Sequence, residues 1–248
     1  MRRILSVFIV VILLSGIPCL AQDLGGLLTS GDSLYGLHQY GESITFYRKA
    51  CVADSNNAES FWKLGRSLNL LGETTPKDSQ LAVFEDARDA ETRALELNEV
   101  NAEAHFQLSR SLGKIALFKG IFKSASLAKK VRKESMRALE IDSLHDGAWH
   151  ILGRWHREVG EKSRFLRIPM GLGAANKKDA LAYMKRAVEL NPDYVNHHLE
   201  MGITYRRLDN DDAARAEFEK CLELEAQRPL DEKYKKEAKK YLAELNEN

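Results

Sequence analysis

Arginines that recur at a fixed spacing are the residues in this sequence best suited to chemistry. They end one repeated pattern (aromatic, any, any, Leu, small, Arg) and stand 44 residues apart: Arg66, Arg110 and Arg154. A flat side chain stands four residues before each of them: Trp62, Phe106 and His150. Two more arginines share a second set of equivalent positions: Arg157 and Arg206. On helices these side chains would form adjacent columns, because residues four apart lie on one face. A strip of guanidinium groups beside rings suits carboxylates or an extended acidic peptide.

A purely structural role explains the arginine column equally well. Each arginine could pair with a nearby acid, Glu59, Glu103 or Glu158, and so link neighbouring repeats. Exposed pairs of that kind contribute only about 0–1 kcal/mol. Trp62 and Phe106 could likewise be core residues. Regular spacing is expected under both interpretations, so a ligand groove and a structural ladder both stay open.

Histidines and known catalytic signatures do not predict an active site. The histidines cluster around the fourth and fifth copies of the pattern: His145, His150, His156, His197 and His198. No two of them have the i, i+4 spacing that directs two imidazoles at one metal ion. The sequence also lacks HExxH, GxSxG, GxxxxGK[ST] and CxxC. It therefore predicts no metal, no cofactor and no enzymatic activity.

A second recurring phrase predicts the elements that position the arginines. Arg-Ala-Leu-Glu-Leu-Asn occupies residues 93–98, and close variants occupy 137–142 and 186–192. The Ala lets two helices approach closely, and Asn-Pro or Asp-Ser ends a helix. Alternation of the two patterns predicts packed helix pairs in which the arginines lie on the first helix.

These patterns resemble the tetratricopeptide repeat. Two segments carry the resemblance, Trp149-x-x-Leu152-Gly153 with Ala180, Met184, Ala187 and Pro192, and Gly202 with Tyr205, Ala214, Phe218 and Cys221. Gly31 and Gly65 are also 34 residues apart, which is the period of that family. The resemblance implies an all-α fold, a right-handed superhelical solenoid of antiparallel helix pairs. We predict five repeats starting near residues 24, 58, 102, 146 and 195, and a capping helix at 229–246.

The middle repeats are longer than the period of that family. Repeats two and three each have 10 extra residues, and repeat four has 15. The surplus of repeat four is the apolar, glycine-containing stretch from Phe165 to Gly173. Two interpretations of this insertion stay open: a lid over the groove, or a hook that packs on the lengthened helices.

A longer run resembles a narrower family. Residues 145–158, followed by the insertion and then by 189–198, are similar to the regulators of microtubule dynamics and their bacterial relatives. The similarity covers roughly residues 90–225. It implies a common lineage with an adaptor-like helical protein and carries over no catalytic residue.

The N-terminus has the pattern of an export signal. Arg2 and Arg3 precede an apolar run over 4–14, and Cys19-Leu20-Ala21 offers small residues where a signal peptidase cleaves. We expect cleavage before Gln22, which leaves 22–248 as one solenoid domain outside the cytoplasm. Contact with cytoplasmic microtubules would then be excluded. The alternative is an uncleaved anchor, since 4–21 is about long enough to span a bilayer.

Composition narrows the function. The 248 residues are 44% hydrophobic and 29% charged, with 37 basic and 36 acidic side chains. These values are typical of a folded domain and argue against a nucleic-acid binder. We predict an exported, non-catalytic scaffold that binds an acidic protein or peptide. Two alternatives are a membrane-anchored adaptor, and a small-molecule binder or hydrolase with a site under residues 165–175 that uses His150 or His156.

Overall fold

The computed structural model describes residues 23–120 and 123–247. In these ranges the chain forms twelve helices: α1 Leu24–Gly36, α2 Tyr40–Ala53, α3 Ala58–Thr74, α4 Lys77–Leu97, α5 Ala102–Lys119, α6 Ala125–Ile141, α7 Asp146–Gly160, α8 Arg164–Arg167, α9 Lys177–Leu190, α10 Val195–Arg206, α11 Asp211–Glu223 and α12 Asp231–Asn246. The described residues hold no strand, so the prediction of an all-α fold is confirmed. The segment predicted to be a signal peptide, 1–21, lies outside the described residues.

Side-chain caps and the recurring phrase determine where the helices begin and end. The Asn57 and Asn101 side chains accept hydrogen bonds from the amides of Ser60 and Ala104 at 2.8 and 3.0 Å, which satisfies free amides at the start of α3 and α5. At the other end, α4, α6 and α9 each stop where an Asn or Asp adopts an extended or irregular backbone: Asn98, Asp142 and Asn191. The polar caps therefore set the helix length within each repeat.

Five helix pairs form the solenoid: α1 with α2, α3 with α4, α5 with α6, α7 with α9, and α10 with α11. Within the pairs, small residues allow the close approach. The alanines of the recurring phrase are at most 1% exposed: Ala94, Ala138 and Ala187. Ala50, near the end of α2, is buried in the same way. At the facing position of the last pair, a Cβ added to Gly202 would lie 2.5 Å from the Phe218 ring. A ring of that size fits only because the facing residue has no side chain.

The insertion of repeat four packs against α5, α6 and α7. Leu172 and Ala175 are 0% and 2% exposed, and they join a buried cluster from the neighbouring helices: Leu108, Leu112, Ala128, Val131, Trp155 and Val159. Trp155 Nε1 also donates to the Ala128 carbonyl at 2.6 Å. Of the two interpretations, the packed hook describes this arrangement.

The C-terminal helix does more than close the end of the stack. Its apolar face packs on α10 and α11, where Tyr234 and Ala238 are buried. Its first turn also reaches back across the inner wall to α3. Lys233 Nζ donates to the Glu73 carbonyl at 3.3 Å, a contact between residues 160 positions apart. α12 therefore forms one side of the groove, which the capping prediction did not include.

Candidate functional site

Two adjoining cavities lie between the inner wall of first helices and the start of α12. The first has a volume of about 240 Å³ and the second of about 530 Å³. Phe106, Arg110 and Tyr194 line both, so the two cavities are sections of one groove. Residues from α3, α5, α7 and α10 form its wall, and residues 228–237 form the opposite side.

Each arginine of the column pairs with a carboxylate from a neighbouring repeat. Arg66 lies 3.8 Å from Asp32 of α1, Arg110 lies 3.6 Å from Glu73 of α3, and Arg154 Nε lies 3.1 Å from Glu200 of α10. The three arginine side chains keep 14–23% of their surface exposed. The column is therefore a ladder between repeats that still presents part of each guanidinium to the groove.

The ion pair between Arg110 and Glu73 lies in a cluster with a surplus of positive charge. Glu73 lies 2.5 Å from Lys114 Nζ and 3.9 Å from Lys233 Nζ, in addition to Arg110. Burial alone would raise the pKa of Glu73, but the three cations outweigh it and lower the pKa to about 2. Burial lowers the pKa of Lys114 to about 8, although Glu73 opposes that shift. One carboxylate thus faces three cations, and burial makes Lys114 easier to deprotonate than an ordinary lysine.

At the α7–α10 interface, the positive and negative charges around Glu200 are more nearly equal in number. Glu200 accepts from Arg157 at 2.5 Å and lies 3.1 Å from Arg154. Arg157 also donates to Thr204 Oγ1 at 3.1 Å and to Glu158 at 2.9 Å. Burial would raise the pKa of Glu200, but the two arginines lower it to about 2. This buried network, with Arg157 3% exposed and Glu200 6% exposed, ties the fourth repeat to the fifth.

In the ion pair between Arg66 and Asp32, aromatic rings pack against the guanidinium group of the arginine. The Arg66 group lies 3.6 Å from the Tyr35 ring centroid and 4.9 Å from that of Trp62. Asp32 receives hydrogen bonds from Lys63 at 2.6 Å and from the Tyr47 hydroxyl at 2.7 Å. Stacking on rings suits Arg better than Lys, since its planar group is weakly hydrated.

A short chain of hydrogen bonds runs from Asp146 into the first cavity. His197 Nε2 donates to Asp146 at 2.9 Å, and the Nδ1 atoms of His197 and His150 lie 2.8 Å apart. Because Asp146 fixes the proton on Nε2 of His197, Nδ1 of that ring accepts and His150 donates. Burial and the neighbouring His197 lower the pKa of His150 well below its usual value. His150 is therefore neutral, and its Nε2 is a hydrogen-bond acceptor.

The structure brings six of the eight sequence-predicted site residues to the groove. Those six line the two cavities: Trp62, Arg66, Phe106, Arg110, His150 and Arg154. Arg157 and Arg206 do not. Arg157 is turned into the α7–α10 interface, where the backbone and side chain of Glu200 accept from it. Arg206 pairs with Glu244 at 2.7 Å, because the next element in the stack is α12 and not another first helix.

The acids that pair with the arginine column differ from the predicted ones. The sequence pointed to acids near each arginine, Glu59, Glu103 and Glu158. Instead, Glu59 bonds to Lys63, Glu103 to His145 and Glu158 to Arg157. The partner of each column arginine comes from the preceding or the following repeat, so spacing within one repeat does not reveal it.

Several groove residues were not identified from the sequence: Tyr35, Glu73, Lys114, Tyr194, Arg228, Lys233 and Tyr234. Only Lys114 had a signal, because it follows Arg110 by four residues and so shares its helix face. Arg228 lies 4.3 Å from the Tyr194 ring centroid, a contact that depends on the chain folding back after α11.

His156 and His198 have structural roles. His198 is 5% exposed and bonds to Glu217 and to the Pro192 carbonyl. His156 is 3% exposed and accepts from the Asn176 amide at 3.3 Å.

In the described part of the chain, the insertion lines neither cavity. Within 23–120 and 123–247, no cluster of three or more His, Cys, Asp or Glu could hold a metal ion, and every helix falls short of what a bilayer span requires.

Paired helices stacked around an inner wall of arginines and rings define a tetratricopeptide-type solenoid protein. The family model described as regulator of microtubule dynamics protein 1-3 matches residues 27–246. The chain belongs to this family.

Individual relatives agree with that assignment. Regulator of microtubule dynamics protein 1 of Bos taurus is 26% identical over 219 residues, which are 83% of this chain and 68% of the relative. Among solved structures, a thermophilic TPR protein of Thermus thermophilus is similar with a TM-score of 0.62 and 16% identity, over 89% of this chain and 99% of that one. MamA of Desulfovibrio magneticus is similar with a TM-score of 0.53 and 16% identity, over 81% and 94% of the two chains. These structural likenesses concern the fold.

Proposed function

We propose that this protein is a non-catalytic adaptor that binds an extended, acidic segment of another protein along the groove. The observation that carries the proposal is the surplus of positive charge around Glu73, where Arg110, Lys114 and Lys233 share one carboxylate. A carboxylate of a ligand placed there would balance the cluster. It would also meet donors that folding has already oriented, which lowers the entropy cost of binding.

The charged residues of the groove determine where the ligand lies and contribute less to its affinity. Counted over the whole lining, the first cavity has four basic and four acidic side chains: Arg110, Lys114, Arg154 and Lys233 against Glu73, Glu158, Glu200 and Glu237. A balanced lining gives little net attraction, so the contact area must come from rings. Trp62, Phe106, Tyr194 and Tyr234 supply flat surfaces along the groove.

We propose further that the adaptor acts outside the cytoplasm. The support is the arrangement of residues 1–21, with two arginines, an apolar run and small residues before Gln22. N-terminal sequencing of the mature protein tests this: a chain that starts at Gln22 supports export with cleavage, and one that starts at Met1 supports the anchored alternative.

A displayed library of random peptides tests groove binding. We expect the captured peptides to be enriched in Asp and Glu, and capture to fall when Arg110→Gln and Lys114→Gln are combined. Arg206→Gln is the matched control, because Arg206 is an ion-paired arginine away from both cavities. Unfolding in urea, measured on every variant, separates a lost ligand from a lost fold. If stability falls and capture does not change, the arginines are structural and the proposal is wrong.

A second candidate is suggested by the lining of the first cavity. The apolar residues Leu117, Val131, Trp155 and Val159 line it together with the basic Arg110 and Lys114. About 240 Å³ is close to the range of small-ligand pockets, so an amphipathic anion would fit this part of the groove. Native mass spectrometry of the purified protein distinguishes the two candidates, since a co-purifying small molecule supports this one and a bare protein does not.

A further inference from the structure

Two segments of the chain have a local excess of basic residues. Residues 123–133 and 161–178 together contain ten Lys or Arg and one acid, Glu161, whereas the whole sequence has 37 basic and 36 acidic residues. Glu161 itself pairs with Arg207, which lies outside both segments, at 2.9 Å. The local excess of positive charge is therefore large in a chain that is close to neutral overall.

The two segments lie side by side on the surface. Leu172 and Ala175 of the insertion pack in one cluster with Ala128 and Val131 of α6. At the turn of the insertion, a Cβ on Gly171 would lie 3.1 Å from the stem of Lys129. Eight basic side chains of the two segments are exposed to solvent: Lys123, Lys129, Lys130, Lys133, Lys162, Arg164, Lys177 and Lys178. We call this group the basic surface.

An apolar tip projects from the basic surface. Phe165 is 85% exposed, and Leu166 and Ile168 are each 55% exposed. The three residues lie within four positions of the chain on and just after the short helix α8. Burying side chains of this kind is worth about 1.5–3 kcal/mol each, so their exposure is unfavourable unless something covers them.

Buried residues within and after the tip fix its position: Arg167 and Leu172. Arg167, between the apolar residues, is 7% exposed and donates to the carbonyls of Lys162 and Ala175, on either side of the tip. Gly171 adopts a φ of 71°, a conformation that favours glycine, and the next residue, Leu172, is fully buried. The insertion is therefore anchored at both ends while its apolar residues point to solvent.

We propose that this insertion is a peripheral membrane-docking hook, in which Phe165, Leu166 and Ile168 enter the interface of an anionic bilayer and the basic surface contacts the lipid phosphates. The combination of an exposed apolar tip with exposed cations on the adjoining surface is the pattern of interfacial membrane binding. The proposal concerns a surface away from the groove and goes beyond the adaptor function.

A membrane fits this surface better than a protein partner does. Protein interfaces are depleted in Lys and enriched in Arg, Tyr and Trp, whereas seven of the eight exposed cations here are lysines. Lysine side chains can keep their ammonium groups in water and their stems on an apolar layer. A convex tip of three aliphatic and aromatic side chains also needs a partner that deforms around it, as lipid does.

The fluorescence of a tryptophan placed at the tip of the full-length chain reports how deeply the tip enters the bilayer. We expect the emission of Phe165→Trp to shift to the blue and to be quenched by brominated acyl chains in vesicles of phosphatidylcholine with one-third phosphatidylglycerol. The change is measured relative to the wild type, which has three tryptophans. Val52→Trp is the matched control, because Val52 is 86% exposed in α2, and its emission should not change. Leu166→Trp repeats the measurement if Phe165→Trp folds poorly.

Charge variants test the second half of the proposal. With Phe165→Trp as reporter, Lys130→Gln and Lys133→Gln together should weaken binding to the anionic vesicles by about tenfold or more. Lys236→Gln with Lys239→Gln, on the exposed face of α12, should not. Three results would overturn the proposal: no quenching beyond that of Val52→Trp, equal quenching in vesicles of pure phosphatidylcholine, or a dimer that Phe165→Ser dissociates, which would assign the tip to a second copy of this chain.

Discussion

Glu200→Gln tests whether the buried network between α7 and α10 holds the last repeats together. The substitution keeps the shape of the side chain and removes the charge that two arginines share. The pKa of Glu200 falls from its ordinary value of 4.5 to about 2 in the fold, which corresponds to about 3 kcal/mol at neutral pH. Breaking one partner out of a buried ion pair costs about 3–5 kcal/mol by mutation. We therefore expect a loss of about 3 kcal/mol in the free energy of unfolding.

Urea denaturation at several pH values measures this loss and its cause. A carboxyl whose pKa is lowered by folding stabilises the protein above its unfolded pKa, and that stability is lost as pH falls from about 4.5 toward 2. The difference between the wild type and Glu200→Gln should therefore be constant above pH 5 and shrink below it. Glu189→Gln is the control, since Glu189 is 62% exposed and pairs with Arg186 on the same helix, and such pairs contribute about 0–1 kcal/mol. A loss below 1 kcal/mol at neutral pH, or a difference that does not change in acid, would refute the reasoning.

Three further results follow from the same contacts. Lys114, labelled as its ¹³C-dimethyl derivative, should titrate in NMR near pH 8, well below an exposed lysine, because burial lowers its pKa. Glu91→Gln should gain stability relative to the wild type as pH rises above 4.5 in denaturation experiments, because burial raises the pKa of Glu91 well above that value and ionisation is unfavourable in the fold. Gly202→Ala should lower the free energy of unfolding by about 1–3 kcal/mol through overpacking against Phe218, whereas Gly36→Ala, with nothing within 4 Å of the added Cβ, should be neutral or stabilising.

The all-helical solenoid could be predicted from the sequence because its determinants are local and repeated. Each capping Asn acts on residues a few positions away, and each Ala allows close packing between the two helices of one repeat. That is why Asn101 stands at the start of α5 and Ala138 near the end of α6, close to where the spacing indicates. The path of the insertion was less certain, because Leu172 and Phe165 have similar hydrophobicity and only the packing decides which of them is buried.

The groove could be predicted only in part. Spacing identified one wall, since Arg66, Arg110 and Arg154 repeat with the fold. The other wall comes from the return of the chain after α11, which brings Lys233 beside Glu73, and no periodic signal encodes a contact over that distance. The same reason explains why the predicted acid partners of the arginines were wrong.

The structural ladder and the ligand groove are not competing descriptions of these arginines. An arginine held by a carboxylate has already lost much of its side-chain entropy in folding, so less is lost when a ligand binds. Each paired carboxylate cancels the positive charge of its arginine, and only the cluster around Glu73 keeps a surplus of positive charge. Stability and ligand capture should therefore separate by residue: variants of Arg157, which is buried away from the cavities, should change stability alone, and variants of Lys114 should chiefly change capture.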